Sequence, residues 1–180
     1  MAVTIATLKL RDMPTVRSFA PVAHATSRIL ILGSMPGKES LRMGQYYAHP
    51  RNLFWPILGK LAGAAPGLPY DQRIRALQRA RIALWDVLES CARDGSLDSR
   101  IDNDSRVAND FRSFFERHPK ITHVFFNGAK AEACYRTCVL PDDRLKPLQY
   151  RRLPSTSPAN AGIPYERKFE AWRTIRGHLR

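Results

Sequence analysis

The chain has 180 residues, 44% of them hydrophobic, enough to build one core without disulfide or metal support. Twenty-nine Lys and Arg stand against sixteen Asp and Glu, and the formal net charge of +13 favours a polyanionic partner, nucleic acid first. No apolar run reaches the roughly 18 residues that span a bilayer, and no secretory leader pattern opens the sequence.

Cys91, Cys134 and Cys138 are an odd number without a paired ligand pattern, so neither a disulfide framework nor a zinc site is signalled. The expectation is one domain over residues 1–180, monomeric, cytoplasmic and close to the nucleoid, with free thiols, no metal and no membrane partner.

In chain order, residues 1–17 read as an extended N-terminal arm with no assigned role. Arg28 to Leu32 is a continuously apolar run closed by Gly33, the signature of a strand buried on both faces. Ile82 to Trp85, Ile121 to Phe126 and Gln149 to Leu153 resemble it, the last being more polar and so nearer an edge. Helical spacing is expected over Asn52 to Leu61, Tyr70 to Ala80, Val107 to Phe115 and Ala129 to Val139. After Pro164, an apolar stripe of Phe169, Trp172, Ile175 and Leu179 marks a closing helix.

Alternating strands and helices predict a three-layer α/β/α sandwich around a central, mainly parallel four-stranded sheet. In such a fold the ligand crevice lies beyond the carboxyl ends of the strands, so chemistry is expected on the loops that follow them. The first of these loops, Gly33-Ser34-Met35-Pro36-Gly37, permits a tight turn whose backbone N–H groups suit a phosphate or an anionic base. It completes neither a Walker A loop nor a dinucleotide fingerprint. Gln45 to Trp55 (QYYAHPRNLFW) then offers aromatic, amide, imidazole and guanidinium groups together, a mixture that fits base stacking and phosphate contact. Phe54 and Trp55 open an apolar helical face and belong to the core.

The stretch GSMPGKESL followed by QYYAHPRNLFW resembles the first motif of the hypoxanthine-DNA glycosylase (DNA-deoxyinosine glycosylase) branch of the uracil-DNA glycosylase superfamily. IALWDVLESCARDGSLDSRI, FFNGAKA and LPSTSPANA fall in the order that this branch shows, so the resemblance covers the chain from about Ser18 onward. It implies a uracil-DNA glycosylase-like fold and a cofactor-free hydrolase that cuts the N-glycosidic bond of a deaminated base in DNA, in base excision repair.

Other branches carry a catalytic Asn or Asp where this chain has Met35, and a thioether cannot orient water. The resemblance therefore moves that work to Asn52, with Ser34 assisting through its N–H and hydroxyl; Asn52 also stands where a helix N-cap belongs. It makes Asn127 the reader of the base edge and Gly33, Met35, Tyr46 and Tyr47 its other contacts, Tyr47 favoured for stacking. DNA contacts are expected from Gly37, His49, Arg51 and the hydroxyls of Ser155, Thr156 and Ser157. Asp98 and Ser99 border this set but read as turn residues. Uracil excision is the nearer alternative, and a non-catalytic module for damaged or single-stranded DNA is the alternative from another class.

Overall fold

The computed structural model describes residues 13–142 and 145–179. Its strands are β1 Thr15–Arg17, β2 Ile29–Gly33, β3 Ile82–Asp86, β4 Leu88–Ala92, β5 Val107–Ala108, β6 His123–Asn127 and β7 Gln149–Leu153. The helices are α1 Lys38–Met43, α2 Phe54–Ala62, α3 Tyr70–Arg79, α4 Phe111–Arg117, α5 Ala129–Cys138 and α6 Tyr165–Trp172.

The central sheet has the order β3-β2-β6-β7, and its three strand pairs are all parallel. Side chains alternate across β2, so its odd and even positions feed two separate cores. Leu30 and Leu32 face Phe111, Phe114 and Tyr135 of α4 and α5; Ile29 and Ile31 face Phe54, Leu58, Leu77 and Trp172 of α2, α3 and α6. Helices thus cover both faces, which is why β2 and β3 are buried along their whole length. β7 lies at an edge and exposes Gln149, Arg151 and Arg152, as its polar sequence predicts. No helix among the described residues is long and apolar enough to cross a membrane.

Three features depart from the sequence reading. β1, β4 and β5 form a second, antiparallel sheet of order β1-β4-β5, which was not expected because Leu88 follows β3 after a single residue, without a turn signal between them. The expected helix over Val107 to Phe115 starts later: Val107–Ala108 is a strand, and the helix begins at Phe111 behind Asp110, whose carboxylate accepts from the Ser113 N–H at 3.0 Å. α1 is a short additional helix directly after Gly37.

Residues 1–12 of the expected arm lie outside the described residues, while Thr15–Arg17 is built into the second sheet. Just beyond, Val22 pairs antiparallel with Leu84, donating to its carbonyl at 2.9 Å and accepting from its N–H at 2.8 Å. This pairing covers the outer edge of β3, a position that would otherwise expose unpaired backbone groups. Val22→Pro removes that donor, and urea unfolding is expected to show a loss of about 1–3 kcal/mol.

Candidate active site

The carboxyl ends of β2, β3, β6 and β7 open into one cleft of about 650 Å³. Its first wall is the loop Gly33 to Gly37. The carbonyls of Gly33 and Ser34 accept from the N–H groups of Val87 and Leu88 at 2.9 and 3.2 Å, and the Pro36 carbonyl accepts from the buried guanidinium of Arg93. In a planar trans peptide the next N–H points opposite to the carbonyl, so those of Ser34, Met35 and Gly37 turn away from these partners. Ser34 donates its hydroxyl proton to Asp98 Oδ1 at 2.7 Å, so its side chain has no proton left to offer a ligand. Met35 is buried in the core and contributes only apolar wall.

The second wall comes from the segment between α1 and α2. Tyr46 is buried, with its hydroxyl donating to the Ala20 carbonyl at 3.2 Å and its carbonyl accepting from the Trp55 indole at 2.9 Å. Its polar groups therefore serve the fold, although its ring reaches the cleft. Tyr47 takes φ 54°, a left-handed conformation that costs energy for a bulky residue. That conformation stacks one ring face on Phe54, centroids 4.0 Å apart and planes 22° off parallel, in a residue that lines the cleft.

Asn52 fills two roles. Its Oδ1 accepts from the Phe54 N–H at 2.9 Å, which caps α2 as its place in the sequence allows. Because only oxygen can accept there, the amide orientation is fixed and both Nδ2 protons remain outside the helix, in a residue that lines the cleft. His49 lines the cleft too, its Nδ1 accepting from the Arg51 N–H at 3.1 Å, so the neutral ring carries its proton on Nε2. Arg51 is exposed and is not part of the lining.

The floor is Asn127 at the end of β6. Its Oδ1 accepts from the Thr156 N–H and its Nδ2 donates to Thr156 Oγ1, both at 2.9 Å. The pair sets the amide one way round and leaves one Nδ2 proton, directed away from Thr156, for a ligand. Thr156 also accepts from the Leu53 N–H at 3.0 Å, joining the post-β7 loop to the start of α2. Neighbouring Ser155 and Ser157 accept backbone N–H groups of Ser157 and Ala159, each at 3.2 Å, which leaves both hydroxyl protons to donate elsewhere. Lys168, buried beneath this loop, donates to the Asn160 carbonyl at 2.7 Å, and Trp172 donates to the Pro154 carbonyl at 2.9 Å. Lys38 and Arg152 add positive charge to the lining.

Two carboxyls complete the site. Asp98, read from the sequence as a turn residue, bonds Ser34, and burial raises it above the ordinary carboxyl range against the pull of Ser34 and Arg93. Asp86 was absent from the sequence reading. It ends β3, is 3% exposed, lines the cleft, and accepts from the Ser18 hydroxyl on Oδ2 at 2.7 Å. Burial, reinforced by Asp98, pushes it up to about 7 despite Ser18 and Arg93. The available sequence signal was an acid closing the otherwise apolar run IALW. Among the described residues no group of His, Cys, Asp and Glu has the makings of a metal site.

A family model described as the uracil DNA glycosylase superfamily matches residues 20–176. A hypoxanthine DNA glycosylase of Methanosarcina acetivorans is 36% identical over 165 residues, covering 90% of this chain and 98% of that protein. Another of the same description, from Methanosarcina barkeri, is 40% identical over 116 residues, covering 64% of this chain and 72% of its own length. The solution NMR structure of a candidate uracil DNA glycosylase from Methanosarcina acetivorans matches with a TM-score of 0.75 at 35% identity, covering 92% of this chain and 99% of that one.

Gly128 has φ +99°, and a Cβ there would stand 2.8 Å from Ser155 Cβ. Gly128→Ala therefore forces a strained backbone and pushes the Ser155 loop outward; thermal unfolding is expected to report a loss of about 1–3 kcal/mol, with DNA affinity reduced as well. Thr156→Val removes one of the two bonds that hold Asn127, and stability is expected to fall by about 1 kcal/mol.

Proposed function

The chain belongs to the uracil DNA glycosylase superfamily, and on that premise we propose that it hydrolyses the N-glycosidic bond of hypoxanthine in DNA, leaving an abasic site for base excision repair. The observation that carries the reading is the Asn127 amide, fixed by Thr156 at the floor of a cleft large enough for a purine.

Hypoxanthine and uracil both present a ring carbonyl beside a ring N–H. The free Nδ2 proton of Asn127, which points away from Thr156, donates to that carbonyl. Adenine and cytosine carry an amine where hypoxanthine and uracil carry that carbonyl, which sets donor against donor, so a fixed amide discriminates against them. The described activity of the two Methanosarcina relatives favours hypoxanthine as the lesion. The lesion enters as an extruded nucleotide, its ring against the open face of Tyr47 and its flanking phosphates on Ser155, Ser157, Lys38 and Arg152.

In the reaction the C1′–N bond breaks and its electron pair leaves with the base. Water bonds to C1′ and loses a proton, while the base gains one, so the products are a neutral free base and an abasic deoxyribose. The N–H groups of the Gly33 to Gly37 loop hold the growing negative charge, and the DNA phosphates favour the cationic sugar. Asn52 orients the water through its fixed amide. An amide is a weak base, so its contribution is positional and turnover is modest.

Purified protein incubated with labelled duplexes containing one hypoxanthine or one uracil, followed by alkaline cleavage of abasic sites, is expected to cut the hypoxanthine strand faster. An intact but bound duplex would instead indicate a damage-binding module. Asn52→Ala is expected to slow single-turnover excision by about 10²–10³-fold with DNA binding retained. Because it also removes a helix cap, its stability should fall by about 1 kcal/mol.

A further inference from the structure

Asp86 is placed to do more than fill the base of the cleft. With Ser18 donating to Oδ2 at 2.7 Å, the neutral carboxyl is free to carry its proton on Oδ1. Oδ1 occupies the space that a Cβ on Gly33 would need, and the Tyr47 hydroxyl stands 3.0 Å from that same point. The absence of a side chain at Gly33 is therefore what lets a carboxyl reach the loop that lines the cleft. The Asp86 main chain is tied as well, its carbonyl accepting from Asn109 Nδ2 at 2.9 Å, so the carboxyl cannot easily withdraw.

We propose that the carboxyl O–H of Asp86 donates a hydrogen bond to the extruded base and holds the negative charge that the base takes up as its bond to the sugar breaks. The proposal rests on the glycosylase reading and adds to it a second donor, beside Asn127, that has a proton to offer only in one protonation state. A buried neutral carboxylic acid is a strong donor to a developing anion, and it adds no negative charge to a surface that must receive phosphates. No proton needs to change hands at Asp86: the bond strengthens as charge grows and relaxes when the base departs.

The groups around Asp86 support its neutral state near neutral pH. Burial is the largest influence; Asp98, from the loop after β4, acts in the same direction, while Ser18 and Arg93 oppose. Tyr46 and Tyr47 from the segment before α2, and Tyr70 from α3, face it as uncharged phenols. Asp86 forms no ion pair among the described residues.

The test is the pH dependence of single-turnover excision, with DNA binding measured at each pH. Wild type is expected to lose rate from pH about 6 to about 9 as Asp86 ionises. Asp86→Asn keeps a donor that cannot ionise, so its ratio of rates at the two pH values should approach one. Asp86→Ala should be slower at every pH by about a hundredfold. Asp98→Asn removes the like charge and should shift the falling limb to lower pH without abolishing it. A limb that persists unchanged in Asp86→Asn would belong to the DNA and would overturn the proposal, as would an Asp86→Ala enzyme as fast as Asp86→Asn.

Folding is checked separately. A carboxyl whose folded pKa is raised contributes stability below its unfolded pKa that is lost as pH rises through the folded one, so Asp86→Asn should unfold at a higher temperature than wild type at pH about 9. Equal melting temperatures there would contradict the buried environment on which the proposal depends. Failure of wild type to excise either lesion at any pH would sink the glycosylase reading itself, an outcome distinct from excision with no dependence on Asp86.

Discussion

The site depends on the way Thr156 grips Asn127. A primary amide looks nearly the same to a ligand after a half turn, so it can read a base edge only if something else decides which end is oxygen. Here a backbone N–H decides, because it can bond only to Oδ1, and the threonine hydroxyl takes one proton of Nδ2. Through its own carbonyl the same residue holds Leu53, next to Asn52. The two cleft amides, Asn127 and Asn52, thus hang from one buried threonine, supported from below by Trp172 and Lys168 through the loop it belongs to.

Charge is arranged in layers around this clasp. The chain carries +13 and bears Lys38 and Arg152 at the cleft, yet its floor holds two acids, Asp86 and Asp98. Ionised, they would repel the phosphates that the outer cations attract. Burial raises both above the ordinary carboxyl range, and at Asp86 the charge of Asp98 adds to it. Arg93, buried behind the loop, holds the Pro36 carbonyl and moderates the acids without forming an ion pair with them among the described residues.

Much of this was legible in the sequence because it follows from periodicity and loop position. RILIL, IALW, ITHVFF and QYRRL each became a central strand, and the cleft opens where a parallel sheet places it. Nearly all the residues singled out line that cleft, with Arg51 the exception. The second sheet was not legible, since VLESCA continues from β3 without a turn, and VA at 107–108 is too short to carry a pattern. Asp86 escaped for a similar reason: one acid at the end of a strand has no spacing to mark it, and its character comes from Gly33, Ser18 and Asp98, which are distant in sequence. The double duty of Asn52, cap and cleft residue at once, likewise emerges only when the helix start is seen to sit at the mouth of the sheet.

A crystal structure of the protein bound to a duplex whose hypoxanthine nucleotide carries a 2′-fluoro sugar that resists cleavage would show whether Asn127, held by Thr156, meets the base. An extruded base is expected, with its carbonyl about 3 Å from Asn127 Nδ2 and Thr156 still holding the opposite side of that amide. A base left stacked in the duplex, or seated in the cleft with its carbonyl turned away from an Asn127 released by Thr156, would contradict it.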